Sequence, residues 1–223
     1  ANNSNDADII ISSEIYQLAG KNLETFTCNK SVPGPLLKAN KGEVKALKFQ
    51  NKLSVDTSVH FHGIIPENSN DGVPYVTQEP IKPGDYYTYN LRFPHSGLFW
   101  YHSHVEGYEQ VERGLQAPFI VREENSVIPE ENELVYVVDD ILVKNDDWYP
   151  FSTRFMHGRG GNVLLINGKE YQSNSIPSNT ARIRIVNTAN ARNAVISFGG
   201  KEATIIGKDL EFGKPYGAKS VFI

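Results

Sequence analysis

Four of the chain's six histidines fall in two short stretches, His60-Phe61-His62-Gly63 and Trp100-Tyr101-His102-Ser103-His104. Both lie in strand-like surroundings, Ser58 to Ile65 and Gly97 to His104. Successive side chains on a strand point to opposite faces, so residues i and i+2 share a face. Each pair therefore offers two imidazoles on one side, with Phe61 or Ser103 turned the other way. Two such strands side by side bring four nitrogen donors to one place. Imidazole suits copper, zinc, iron and nickel, and geometry decides among them. One His-x-His on a strand is more often an ordinary core or surface feature. Two pairs using four of six histidines, flanked by aromatics and glycine, point to a metal site.

The elements that must hold these pairs are short strands joined by turns. Eleven Tyr and eleven Phe, with 18 Gly and 12 Pro, favour such a fold over helices. Zinc hydrolases with a His-x-His usually follow it closely with Asp-His or carry it at the start of a βα barrel. Here Gly63-Ile64-Ile65-Pro66 follows and no run of βα units exists, so hydrolysis fits poorly. The formal net charge of −4 gives no reason to expect nucleic acid or an anionic membrane as partner. No apolar run approaches the ~20 residues of a membrane span. Cys28 is the only cysteine; it forms no internal disulfide and reads as a small, half-buried apolar residue.

Taken in order, residues 1–7 read as a polar tail, and alternation predicts strands over Asp8 to Leu18, Leu23 to Cys28, Leu36 to Ala39 and Val44 to Asn51. The first histidine strand follows, then a polar connection over 66–80 expected beside the metal strands. Tyr86 to Phe93, the second histidine strand and Gln116 to Val121 complete the unit, with a single helical turn over Glu109 to Arg113. The charged, proline-containing stretch after Val121 reads as a linker. Strands resume over Leu134 to Val138, Val163 to Ile166, Ala181 to Asn187, Ala194 to Phe198 and Ala203 to Ile206, with Asn167-Gly168 as a hairpin turn. The chain is therefore expected to be all-β, two sandwiches in a row.

With these pieces in place, the sequence resembles the multicopper oxidase family, which includes laccases, bilirubin oxidases and metallo-oxidases. His60-Phe61-His62-Gly63 and Trp100-Tyr101-His102-Ser103-His104 look like its first two copper motifs. Asp71-Gly72 and the segment Gln78 to Gly84 fall where family members carry similar stretches, and Gly161 to Gly168 and Arg182 to Asn187 look like its middle domain. The resemblance implies two cupredoxin-like Greek-key β-sandwiches: residues 1–122 with both copper motifs, a linker at 123–133, and 134–223, incomplete at its C-terminal end. It implies copper as cofactor, with His60 on the type 2 copper and His62, His102 and His104 on the type 3 pair. Dioxygen would be reduced to water at the three-copper cluster with electrons from a small reducing substrate, a phenol-like compound or a metal ion. Asp71 matches an acid implicated in proton delivery, and its alternative reading is an Asp-Gly turn residue.

Departures from the family pattern carry expectations of their own. The His-Pro-x-His-x-His and His-Cys-His motifs do not occur, so the chain is expected to be the N-terminal part of an oxidase, inactive alone, whose C-terminal cupredoxin domain supplies the type 1 copper and the other cluster ligands. Glu79 stands where fungal and plant members often have a disulfide cysteine. His95 and His157 match no copper motif and read as surface or structural. Export to a periplasmic or extracellular space is the expected location. The competing reading is a non-catalytic copper-binding or scaffold protein on the same fold.

Overall fold

The computed structural model describes residues 8–152, 158–170, 176–208 and 211–223, so the tail at 1–7 and His157 lie outside it. The first eight strands are β1 (Ile9–Leu18), β2 (Lys21–Cys28), β3 (Leu37–Asn40), β4 (Val44–Asn51), β5 (Val59–His62), β6 (Tyr86–Arg92), β7 (Gly97–Ser103) and β8 (Gln116–Arg122). They form two four-stranded sheets, ordered β2-β1-β4-β6 and β3-β8-β7-β5. The parallel pairs β1·β4 and β3·β8 show that the chain crosses between sheets rather than meandering through one. β1 runs unbroken through Ser12-Ser13, paired with β2 from Ile11 to Leu18 around a turn in which Ala19 and Gly20 both have positive φ. That conformation matches the right-handed strand twist.

Between the sheets lies one apolar core. At its centre Phe49 meets the rings of Phe61, Tyr89 and Tyr101 edge-on, at centroid distances of 5.9, 5.6 and 5.8 Å. Phe61 stands between His60 and His62, and Tyr101 between Trp100 and His102, both fully buried. Burying these two aromatics forces the imidazoles beside them onto the opposite face of the sheet. Two polar handles pin them further: the Val59 N–H donates to Tyr89 Oη at 2.9 Å, and Tyr101 Oη donates to the Pro35 carbonyl at 2.9 Å. Cys28 lies deeper than its sequence suggests, at 3% exposure.

Ten further strands follow: β9 (Glu133–Ile141), β10 (Val143–Lys144), β11 (Asp147–Trp148), β12 (Val163–Ile166), β13 (Lys169–Glu170), β14 (Arg182–Asn187), β15 (Val195–Ser197), β16 (Ala203–Lys208), β17 (Glu211–Ala218) and β18 (Ser220–Phe222). They build a sheet ordered β13-β12-β9-β14 and three two-stranded ladders, β10-β11, β15-β18 and β16-β17. Among the described side chains of β14 to β18 only Arg184 is buried. β8 is buried along nearly its whole length, and its first residue, Gln116, bonds Asp139 of this second group of strands. A smaller apolar cluster joins Leu18, Leu23 and Val32 to Ile141, Val143, Trp148 and Leu165. The charged connection is held by ions: Arg182 reaches Glu123 at 2.9 Å and Arg184 reaches Glu133 at 3.0 Å.

Candidate metal centre

β5 and β7 pair antiparallel with His60 opposite His102, Phe61 opposite Tyr101 and His62 opposite Trp100. The register therefore brings three of the four imidazoles together on the outer face. Donor nitrogens of His60, His62 and His102 all lie within 4.8 Å of one another. His104 sits one residue beyond the end of β7; its ring centroid is 5.7 Å from that of His60 and 6.3 Å from that of His102. His104 is exposed and its donors lie outside the close group of three. His95 is exposed and is not part of that group.

The hydrogen bonds orient the rings. His60 Nδ1 lies 2.7 Å from the Asp71 carbonyl, and His102 Nδ1 lies 2.8 Å from the Ser103 carbonyl. A carbonyl only accepts, so each Nδ1 carries the proton and each Nε2 presents its lone pair. His102 Nε2 is buried and has no hydrogen-bond partner among the described residues. A buried acceptor without a donor costs free energy unless something fills the position. Burial, reinforced by the neighbouring imidazoles, pushes the His102 pKa down to about 3, and burial together with His60 lowers that of His62. Both rings are thereby held neutral, the form that ligates a metal.

Asp71 reaches His60 because Gly72 follows it. Gly72 has φ +80°, and a Cβ there would stand 1.9 Å from the Val59 carbonyl oxygen. Only glycine lets the 66–80 connection press so closely against β5. The Asp71 carboxylate lies 3.4 Å from His60 Nδ1, farther than its own main-chain oxygen. Trp100 contributes apolar cover, stacked on His62 at 5.3 Å and packed on His102 at 4.3 Å. The second motif includes Trp100, but its position in the sequence gives no sign of this role. The donor set, all imidazole with one orphaned nitrogen, fits copper or another borderline divalent ion.

The sandwich with its histidine face defines a β-fold metalloprotein, and comparison with known proteins narrows the class. Residues 10–126 and residues 100–223 each match a family described as multicopper oxidase. The chain is 35% identical to a laccase of Fomitopsis schrenkii over 188 residues, 79% of this chain and 33% of that protein. It is 36% identical over 135 residues to an iron transport multicopper oxidase of Candida glabrata, covering 58% of this chain and 20% of that one. A crystal structure of a multi-copper oxidase from Pseudomonas thermotolerans superposes with a TM-score of 0.89 at 27% identity, across 96% of this chain and 54% of the other. The chain belongs to the multicopper oxidase family. Its folding units are cupredoxin-like, and copper is the family's cofactor. It spans about a third to a half of the length of its laccase relatives.

Proposed function

We propose that this chain supplies half the ligands of a three-copper cluster, within a longer oxidase that couples one-electron oxidation of a substrate to reduction of dioxygen to water. The carrying observation is the convergence of His60, His62 and His102 donors within 4.8 Å, with His102 Nε2 buried and unpartnered. In this reading His60 serves the type 2 copper and His62, His102 and His104 the type 3 pair. Copper, when bound, supplies the one-electron steps by which four electrons and four protons turn one dioxygen into two waters. The chain's own residues do the rest. The Asp71 and Ser103 carbonyls fix the tautomers of His60 and His102. Trp100 shields one side from water. The half-buried Asp71 carboxylate stands where it can hold a proton for delivery to this centre.

Residues 1–122 and 134–223 form the two folding units, with 123–133 as the tie between them. A further cupredoxin-like unit supplies the remaining ligands and the entry point for electrons, so the 223 residues alone carry no oxidase turnover. The reducing substrate is a phenol-like compound or a metal ion, in keeping with the laccase and iron-transport relatives, and the working location is outside the cytoplasm.

The test is copper content and oxygen consumption of the full-length protein and its His102→Ala/His104→Ala variant. The parent should hold copper and consume dioxygen with a phenol or a reduced metal ion, and the variant should hold less copper and consume no dioxygen. Equal copper in the two proteins overturns the site. Copper binding without oxygen consumption, whatever the reductant, favours the non-catalytic reading.

A further inference from the structure

β-ladder hydrogen bonds set the positions of His60, His62 and His102, but β7 stops at Ser103 and leaves His104 outside the ladder. The residue hydrogen-bonded to this strand end from the core side is Gln110. It is the last residue of α1 (Gly107–Gln110), and it is buried at 1% exposure. Gln110 Oε1 accepts from Ser103 Oγ at 2.7 Å and from Thr57 Oγ1 at 2.8 Å, while Nε2 donates to the Asp56 carbonyl at 2.8 Å. Ser103 lies between the two histidines of the second pair, and Thr57 lies just before the strand of the first. The side chains of Thr57, Val59, Tyr101 and Ser103 are all buried, on the core side of the sheet, while the imidazoles project from the other. Ser103 Oγ also accepts from the Val105 N–H at 3.2 Å, which ties the peptide on the far side of His104 to the same point.

We propose that Gln110 is a positioning residue of the copper site. It clamps the ends of the two histidine strands together from behind and so fixes where His104 stands relative to His60 and His102. The proposal rests on the copper-site reading above. Two hydroxyls, one at the end of β7 and one just before β5, share one amide oxygen, so the clamp fails as a unit when that oxygen is removed. A short loop without it would leave His104 free to drift, and ligand supports of this kind typically change metal affinity 10- to 100-fold.

The experiment is chelator competition and Cu(II) electron paramagnetic resonance on the copper-loaded full-length protein. Gln110→Met keeps the side-chain length and removes both the acceptor and the donor. It should release copper to a chelator about tenfold more readily, with altered hyperfine splitting. Gln110→Glu should restore both properties, because a buried carboxyl stays protonated and can accept from Ser103 and Thr57 while donating to the Asp56 carbonyl. Ser103→Ala should reproduce the Gln110→Met change, and the double variant should be no worse than either single one. Thr25→Val, which loses a buried hydroxyl donating to the Leu23 carbonyl at 3.1 Å, reports general loss of stability and should leave the copper unchanged. Wild-type copper retention and spectrum in Gln110→Met overturn the proposal, as does an equal effect in Thr25→Val. If Gln110→Met does not fold, Ser103→Ala with unchanged copper overturns it. His102→Ala/His104→Ala with the parent's full copper content overturns the underlying site instead, so the two failures are distinguishable.

Discussion

The Asp71 main chain and side chain stand in different relations to His60. The carbonyl is at hydrogen-bond distance from Nδ1, while the carboxylate lies 3.4 Å away and is half-buried. Holding the ring and handling protons are therefore separable. Asp71→Asn should leave copper content unchanged, since the carbonyl remains, and should lower oxygen turnover on the order of a hundredfold if the carboxyl delivers protons. Copper content and oxygen uptake measured on the same preparation decide between this role and that of a turn residue. Copper loss in Asp71→Asn would mean that the carboxylate, rather than the carbonyl, orients His60.

At the scale of the element, the histidine strands are positioned by what they bury. Phe61 packs against Phe49, Tyr89, Tyr101 and Phe119 at centroid distances between 5.2 and 6.3 Å. Removing that ring leaves a cavity behind the very strand that presents His60 and His62. Phe61→Ala should cost about 3–5 kcal/mol of unfolding free energy. Copper binding should weaken as well, because the residues either side of the cavity are the proposed ligands His60 and His62. Denaturant unfolding checks the first effect and copper titration below the unfolding transition checks the second. A variant that keeps full copper affinity despite the lost stability would show that the β5·β7 ladder alone orients the imidazoles.

Across the whole molecule, the two groups of strands meet through buried ionisable groups. Gln116 of β8 donates to Asp139 of β9 at 3.2 Å, and the Asp140 N–H donates to the other Asp139 oxygen at 2.8 Å. Glu112 accepts from the Leu142 N–H at 3.0 Å and pairs with the fully buried Arg159 at 3.2 Å. Burial, with the charges of Glu112 and Asp140 adding to it, raises the Asp139 pKa from 3.8 to about 8. Arg159 faces Glu112, and Arg192 faces Asp140 at 2.7 Å. The folded protein thus holds a proton on Asp139 between pH 3.8 and about 8 that the unfolded chain has released. Its contribution to stability is present at the acid end of that window and is lost as pH rises towards 8, by up to about 1.4 kcal/mol per pH unit. Asp139→Asn keeps an acceptor and a donor without the charge. Its melting temperature should gain on the parent steadily between pH 5 and pH 8. A difference independent of pH would show that Asp139 is already ionised in the fold.

Much of this was legible in residue order. The alternation of His60-Phe61-His62 and the exclusion of its aromatic neighbour to the core follow from the period of a strand, and Asn167-Gly168 forms the expected turn with positive φ at both residues. Other elements gave little signal. The hairpin of β10 and β11 turns at Asn145-Asp146 amid polar residues, and β17 is interrupted by Gly213, Pro215 and Gly217. Only the folded chain shows that Asp71 meets His60 through its main chain, that Gln110 bonds both Ser103 and Thr57, and that Asp139 is buried against Gln116. The physical reason is range. A strand's faces are set by neighbours one and two residues away, so ligand type and direction are written locally. Burial, protonation and the fixing of His104 depend on contacts between residues far apart in the chain, which tertiary packing alone brings together.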